Sequence, residues 1–442
     1  MISSRSPGDQ ATKITRTIYM LSFLGDVQIG LFSFAVSLYT TIMASALGFS
    51  PVESAFWLSI VATGWGAVYW FAPIILGHLS DKIGRKFALL MGMAIFIVVN
   101  VLVLVAAWHP FHLFLAFAAS AACFAFYYPV LGALSSEISE CQGSTCHSQV
   151  VSRFMVSWSI GLMLGPLIGG TFDTLFNHVI AFWFLAGISI LISVIVMACL
   201  PSKPELVMLV HAVNQNHLDN HQHESGASTN PPKKSVTFSR PFLRVMLFSM
   251  PFIFSFMNQI YFAVFPGFAV DNMILGVFDG ADPSFMAGML VFSLGFGRTV
   301  TFFHAGKMGK WLRLPLVILS PLVMGVATMI VYFFPLAGVL LVAFPVYGIF
   351  SGYTFSTGLL TLMESSRSGK GLKAGFYEAA VGIGTLLSTF VSIFISPSNP
   401  SNPFLLSSIT GLVTSGAMFL AYLSWQKGPP SLVEKYPDES GR

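Results

Sequence analysis

The sequence predicts an all-α membrane protein with twelve transmembrane helices, arranged as two pseudo-symmetric six-helix bundles. Three observations support this fold class. Hydrophobic residues make up 55% of the chain and charged residues only 9%, too few charges to coat a soluble protein of this length. Apolar runs of about 20 residues, the length that a helix needs to cross a bilayer, recur from end to end. The two halves of the chain also repeat each other weakly.

Each apolar run is predicted to be a helix, because an unclosed strand would leave backbone groups unpaired in lipid. The first run is long and lacks a small-residue cleavage site, so we expect no cleavable signal peptide. The predicted spans are residues 17–46, 54–79, 87–107, 111–137, 151–172, 179–200, 241–270, 284–306, 314–334, 337–364, 373–395 and 403–425.

The distribution of basic residues predicts the orientation. An even number of spans places both termini on one side, and every Lys and Arg except Arg298 lies on or next to that side. The positive-inside rule therefore predicts cytoplasmic termini, with the plasma membrane as the expected location. The net charge of +4 then reflects topology and contact with anionic lipid, and no nucleic-acid partner is expected.

A polar stretch divides the chain. Residues 201–240 are rich in His, Asn, Ser and Pro, which predicts a cytoplasmic linker between an N-terminal bundle at 1–200 and a C-terminal bundle with a short tail at 241–442. The end of the fourth span, YYPVLGALSSEISE, aligns with the end of the tenth, TFSTGLLTLMESSR. Such symmetry is typical of transporters that bind substrate near the bilayer midplane between repeats.

The loop after the second span reads GHLSDKIGRK, a cluster of charge in a chain that has little. Gly77 allows a close helix approach, Gly84 permits a tight turn, and Asp81 places a carboxylate near a helix end. The loop resembles the signature loop of the major facilitator superfamily, which the twelve spans and central linker also fit. The matching residues are Gly77, Leu79, Asp81, Gly84, Arg85 and Lys86.

This resemblance, which covers essentially the whole chain, implies alternating access with a gate on the cytoplasmic side. In the family the acid of the loop faces the start of the eleventh helix, here near Ser368 and Gly371, where free N–H groups attract an anion. Arg85 is expected to pair with Glu137, or with Glu140 as the second choice. The alternative is that the basic residues of the loop only set orientation.

A second motif, GLMLGPLIGG, lies in the fifth span. Gly161, Gly165 and Gly169 recur every fourth residue, followed by Gly170, so another helix can pack closely against this bare face. Pro166 removes a backbone hydrogen bond and can bend the helix. The spacing resembles the antiporter motif of drug:proton exchangers in the superfamily, which implies efflux. The alternative is a packing role that importers share.

Three charged residues are predicted to be buried in the spans, away from their ends. Each costs about 2.5–3.5 kcal/mol at a helix centre and therefore tends to mark function. Asp26 is the first candidate for a proton carrier and Glu378 the second, because a carboxylate in a cavity of low dielectric can bind and release protons. Arg298 keeps its proton, so it is expected to pair with a carboxylate or to hold an anionic substrate. The structural alternatives are a helix-to-helix hydrogen bond for Asp26, an ion pair joining two helices for Arg298, and a helix-end position for Glu378.

Aromatic and amide side chains within the spans suit a site for an amphipathic or aromatic molecule. Packing against lipid or other helices is the alternative for the aromatic residues, which make up 14% of the chain. The candidates are Trp65, Tyr69, Trp70, Trp158, Asn258, Gln259 and Tyr261.

The sequence therefore predicts a secondary active transporter that exports small, largely apolar compounds in exchange for protons. A proton-coupled importer of a metabolite, such as a sugar or an organic anion, is the alternative that Arg298 supports, and a non-transporting membrane sensor or scaffold is a third. No Walker loop and no catalytic motif occur, so we expect neither an ATP-driven pump nor an enzyme. No cofactor or metal site is expected, and the protein is expected to be a monomer.

Overall fold

We describe the fold from a computed structural model, which describes residues 7–140, 147–205, 208, 240–271, 282–305, 310–365 and 370–426. Its principal elements are helices. They are α1 (Pro7–Ala46), α2 (Pro51–Tyr69), α3 (Ala72–Ile83), α4 (Arg85–Ala106), α5 (Pro110–Glu140), α6 (His147–Leu175), α7 (Val179–Cys199), α8 (Arg240–Gln259), a π-helical turn (Ile260–Val264), α9 (Phe265–Asp271), α10 (Pro283–Ala305), α11 (Lys310–Phe333), α12 (Ala337–Ser365), α13 (Lys370–Ile395) and α14 (Asn402–Gln426).

The helices agree with the predicted fold class. Eleven helical segments of the described chain are long and apolar enough to cross a membrane, and the bent pair α2 and α3 raises the number to twelve. The prediction of an all-α membrane protein with two six-helix bundles is thereby confirmed. Most of the predicted linker, at 206–207 and 209–239, lies outside the described residues.

The second span is broken, although the sequence predicted one continuous span over 54–79. Helices α2 and α3 meet at 42° across Trp70 and Phe71. Pro73 lies in the first turn of α3 and has no N–H to donate to the carbonyl of Tyr69, so the helical ladder is interrupted here. The second span therefore consists of two segments with different directions.

The seventh span contains a different irregularity. After Gln259 the helix widens into a π-helical turn over Ile260–Val264 before α9 resumes the α-helical geometry. A π-turn inserts one residue into the helix and rotates the side chains that follow, and such turns are frequent at functional sites. The turn carries Phe262, which faces the cavity described below.

Helix α6 lies between the two halves, because it packs against α1 of its own half and α10 of the other. A β-carbon on Gly161 would clash with the carbonyl oxygen of Phe23, and one on Gly165 would clash with the backbone of Gly30 and Leu31. The motif in the fifth span therefore allows backbone-to-backbone contact between α1 and α6. On the other face, the carbonyl of Pro166 lies against Gly288 of α10.

Candidate functional site

A cavity of about 230 Å³ lies between the two halves of the bundle. Helices from both halves supply its walls, and aromatic rings form much of the lining. The three charged residues of the spans all line it. The lining also includes Trp65, Tyr69, Tyr128, Phe154, Trp158, Phe254, Asn258, Gln259, Phe262, Phe355 and Tyr377.

Asp26, on α1, is 3% exposed and forms the acidic part of the wall from the N-terminal half. Its Oδ1 accepts a hydrogen bond of 2.6 Å from the hydroxyl of Tyr128 on α5. Its Oδ2 is buried and has no hydrogen-bond partner among the described residues. A buried carboxylate with one free oxygen is costly to keep ionised, so the site favours either a bound proton or a cation at Oδ2.

The packing of α6 sets the position of Asp26. A β-carbon on Gly161 would lie 2.9 Å from Cβ of Asp26, so the glycine leaves room for the α1 backbone at this residue. The glycine motif of α6 therefore lies at the same helix crossing as Asp26, the candidate proton carrier.

Glu378, on α13, is the acidic residue of the C-terminal half. Its Oε2 accepts a hydrogen bond of 3.0 Å from the hydroxyl of Tyr69 on α2. The bond joins the two halves directly, because α2 and α13 belong to different bundles. Tyr377, the residue before Glu378, instead donates to the carbonyl of Phe355 at 3.1 Å within the C-terminal half.

Arg298, on α10, is 1% exposed and is held by neutral groups. Its Nε donates to Oγ of Ser351 at 3.2 Å, and its Nη2 donates to Oδ1 of Asn258. The amide of Asn258 donates in turn to the carbonyl of Phe254 at 2.6 Å, which keeps its oxygen turned toward the guanidinium. Among the described residues, no carboxylate forms an ion pair with Arg298.

Three aromatic rings surround the same guanidinium. Its central carbon lies 5.1 Å from the ring centre of Phe254, 5.4 Å from that of Phe262 and 5.8 Å from that of Trp158. Aromatic rings within about 6 Å attract a cation, but they carry no formal charge that could neutralise it. The positive charge of Arg298 thus remains inside the cavity wall.

On the side where α6 ends and α10 begins, polar contacts join the two halves. Ser284 Oγ donates to Asp173 at 2.6 Å, and Thr174 Oγ1 donates to Asp282 at 2.9 Å. Nearby, Nδ1 of His178 lies 3.8 Å from Oδ1 of Asp173. Burial lowers the pKa of His178 from its ordinary value, and the negative charge of Asp173 partly opposes that effect.

The signature loop lies at the opposite side of the bundle, between α3 and α4. Gly84 has a φ of +97°, a conformation that favours glycine. Asp81 and Arg85 form an ion pair with each other, and Arg85 also donates to Oγ of Ser80 at 2.7 Å. Lys86 donates to the carbonyls of Met197 and Leu200 at the end of α7, at 2.7 and 3.0 Å.

Two expected contacts of this loop fall beyond what the structure describes. Ser368 lies outside the described residues, and the side chains of Glu137, Glu140 and the first turn of α13 do too. Pairing of Arg85 with Glu137 therefore stays a prediction. A β-carbon on Gly77 would lie 3.6 Å from Cβ of Pro129, an ordinary contact distance, so this position of the loop tolerates a side chain.

The structure brings together most of the predicted site residues, but not all. Trp65, Tyr69, Trp158, Asn258 and Gln259 line the cavity together with the three charged residues. Trp70 is 43% exposed on the outer surface. Tyr261 lies apart from the cavity, in the interior of the C-terminal half, where its hydroxyl donates to Thr328 at 2.9 Å.

Four residues that bind or flank Asp26 and Arg298 were not predicted from the sequence. Tyr128 binds Asp26, Ser351 binds Arg298, and Phe254 and Phe262 flank the guanidinium. Tyr128 precedes Pro129 within a helix, which is a weak signal of an irregular and functional position. Ser351, Phe254 and Phe262 gave no signal, since serine and phenylalanine occur throughout the spans.

Among the described residues, no group of three or more His, Cys, Asp or Glu side chains is placed to hold a metal ion. The charged groups of the cavity are therefore organised by hydroxyl, amide and aromatic neighbours. Two bundles that enclose such a cavity between them define a transport protein with its site at the interface of two repeats.

Comparison with known families agrees with this class. The model of the Major Facilitator Superfamily matches residues 21–372. The chain belongs to this superfamily, and it is a transporter of that type rather than an enzyme. No curated protein sequence matches it significantly.

Solved structures of transporters share the fold. A mutant of the nucleoside transporter NupG has a TM-score of 0.64 and 13% identity, and the match covers 92% of this chain and 99% of that one. A POT family transporter in complex with 5-aminolevulinic acid has a TM-score of 0.68 and 13% identity, covering 93% and 96%. At this identity the likeness concerns the fold alone.

Proposed function

We propose that this chain is a proton-coupled secondary transporter of small, largely apolar compounds, working by alternating access around the cavity between its halves. The observation that carries the proposal is Asp26. It is buried in an aromatic cavity, bound by Tyr128 on one oxygen and unpartnered among the described residues on the other. Asp26 is the proton carrier in this proposal, and Glu378 is the second proton-binding group.

The proposal includes an orientation and a gate. Both termini are cytoplasmic, the protein is a monomer in the plasma membrane, and residues 1–200 and 241–442 form the two moving halves around the linker at 201–240. The loop of Asp81, Gly84, Arg85 and Lys86 is the cytoplasmic gate. The basic residues beside α1, α3 and α4 support this orientation.

Efflux in exchange for protons is the first candidate for the direction of transport. The glycine motif of α6, which resembles that of drug:proton exchangers, packs directly against α1 at Asp26. A cationic or neutral aromatic compound would then compete with a proton for the carboxylate side of the cavity.

Proton-coupled import of a metabolite such as an organic anion is the second candidate. One observation favours it: Arg298 is fully buried and has no carboxylate partner among the described residues. An importer of this kind would bind proton and substrate together.

Proton exchange with the medium tests the coupling. Purified protein in weak buffer would receive a cationic aromatic compound, a sugar or an organic anion, with Asp26→Asn and Glu378→Gln as variants. Release of protons on adding the aromatic cation, lost in Asp26→Asn, is the result expected for exchange. Proton uptake on adding an anion, lost in the same variant, would select import.

Transport in proteoliposomes provides the second readout. Asp26→Asn keeps a hydrogen-bonding side chain at the same position but cannot ionise, so we expect substrate binding to persist and accumulation driven by a pH gradient to stop. Gradient-driven accumulation at the wild-type level in Asp26→Asn would overturn the role of Asp26 as proton carrier.

A further inference from the structure

We infer that the transported compound carries an anionic group, which binds to Arg298, and an apolar, aromatic body that fills the rest of the cavity. This inference rests on the proposed function of the cavity as the transport site and names the substrate class for it. The class is an aromatic carboxylate or a compound of the same shape and charge.

Hydrogen bonds to described residues use only part of the Arg298 guanidinium. A guanidinium has five N–H donors, and the described partners are Ser351 Oγ and Asn258 Oδ1, one bond to each. The other donors have no partner among the described residues, and Arg298 lines the cavity. The fork of a guanidinium matches the two oxygens of a carboxylate.

Arg298 places a positive charge in a buried position. An arginine stays protonated in proteins, and a buried charge without a counter-charge is strongly destabilising. Neither carboxylate of the cavity forms an ion pair with Arg298. Glu378 is bound by Tyr69, and Asp26, bound by Tyr128 at Oδ1, acts on the guanidinium only at longer range. An anion that enters the cavity would supply a negative charge in direct contact with the guanidinium.

Aromatic side chains surround the place where an anion would bind Arg298. Trp158, Phe254 and Phe262 flank the guanidinium, and further rings continue along the wall toward Trp65 and Phe355. Such a lining excludes water from an ion pair and provides faces for stacking an aromatic body. A small hydrophilic anion would leave most of this apolar wall without a partner.

The position of the carboxylates gives the inference a consequence for coupling. Asp26 and Glu378 line the same cavity as Arg298, so a bound anion repels their ionised forms and favours their protonated forms. Anion and proton are therefore expected to bind together, which favours the second candidate for direction, import, over exchange.

A binding experiment with three matched probes tests the inference. The probes are 3-phenylpropionate, 3-phenylpropionamide and 3-phenylpropylamine, which share one aromatic body and differ in charge. Titration calorimetry on the purified full-length protein at pH 6 and pH 8 would compare wild type with Arg298→Gln and Arg298→Lys. Arg153→Gln is the matched control, because Arg153 is exposed and does not line the cavity.

We expect the carboxylate to bind wild type more tightly than the amide or the amine, and more tightly at pH 6 than at pH 8. Arg298→Gln should weaken its binding about 10- to 100-fold, the usual value of hydrogen bonds to a charged group. Arg298→Lys should retain part of the affinity, and Arg153→Gln all of it. Binding of the amide should change little in any variant.

Two results would overturn the inference. One is preference for the amine over the carboxylate, and the other is carboxylate binding that survives Arg298→Gln unchanged. If Arg298→Gln does not fold, the Arg298→Lys variant and the preference of wild type among the three probes still test whether an anionic group binds Arg298. Proton-coupled transport of the amine alone would refute the inference but leave the proposed function standing, whereas carboxylate binding at Arg298 without proton exchange would refute the proposed function.

Discussion

Replacing Gly165 with alanine should destabilise the protein, although alanine is the better helix former. The added β-carbon would lie 2.6 Å from the carbonyl carbon of Gly30 and 2.7 Å from its Cα. Ordinary carbon contacts are about 3.5–4.0 Å, so α1 and α6 would have to separate by about 1 Å. The neighbouring atoms are backbone and cannot rotate away.

The expected cost follows from that separation. Overpacking of a tight interface typically costs about 1–3 kcal/mol, and the helix propensity of alanine offsets about 0.5–1 kcal/mol of it. Gly187→Ala is the matched control: Gly187 lies within α7, and no described atom outside its own helical turn comes within 4 Å of the place that an added β-carbon would take. At Gly187 only the gain in helix propensity remains, so the two substitutions should change the stability of the protein in opposite directions.

Thermal unfolding in detergent, followed by tryptophan fluorescence, measures both variants against wild type. We expect Gly165→Ala to unfold at a lower temperature and Gly187→Ala at the same or a slightly higher one. Equal unfolding temperatures for Gly165→Ala and Gly187→Ala would refute the close contact of α1 and α6.

Three further outcomes are expected. Tyr69→Phe removes the hydrogen bond to Glu378 that joins the halves and should shift the conformational equilibrium about 10-fold or more toward separated halves, as measured by spin-label distances. The control Tyr377→Phe removes a bond within one half and should cause no such shift. Equal shifts in the two variants would contradict a role of Tyr69 in joining the halves. Asp81→Asn should fold normally and slow exchange in proteoliposomes, so wild-type exchange rates would refute a role for Asp81 in the gate. Burial lowers the pKa of His178 from 6.5, so the folded state binds fewer protons than the unfolded state and stability falls as the pH drops below about 6.5. His178→Asn should reduce the fall in unfolding temperature between pH 7 and pH 5. An unchanged pH dependence in this variant would contradict the contribution of His178.

The spans were predictable because lipid imposes a simple rule on them. A helix in a bilayer needs about 20 apolar residues, and the runs in this chain show that length directly. The break between α2 and α3 was less visible, since Pro73 is compatible with both a kink and a continuous bent helix. The π-helical turn over Ile260–Val264 has no local sequence signal, because the packing around it selects it.

The candidate site was predictable where a residue type is costly in a membrane. Asp26, Arg298 and Glu378 stood out for this reason, and all three line the cavity. Their partners did not stand out, because Tyr128 and Ser351 come from helices distant in sequence and belong to types common in these spans. Trp70 and Tyr261 were predicted as site residues but do not line the cavity. An aromatic residue in a span packs equally well against lipid, in the core or in a cavity wall.

The break in the second span also bears on how the N-terminal half moves. At this point the N–H groups of Trp70 and Phe71 make long bonds of 3.4 Å, and Pro73 makes none, so bending costs less here than elsewhere along the span. Helix α3, beyond the break, packs against α4 and α5 of its own half and also against α13 of the other half, where a β-carbon on Gly375 would lie 3.7 Å from Cα of Ile74. Helix α3 can therefore change its direction relative to α2 while it keeps a contact with the opposite half. A superposition of two conformations of this protein on α1, α2 and α4–α7 should therefore show a change in the direction of α3 relative to α2.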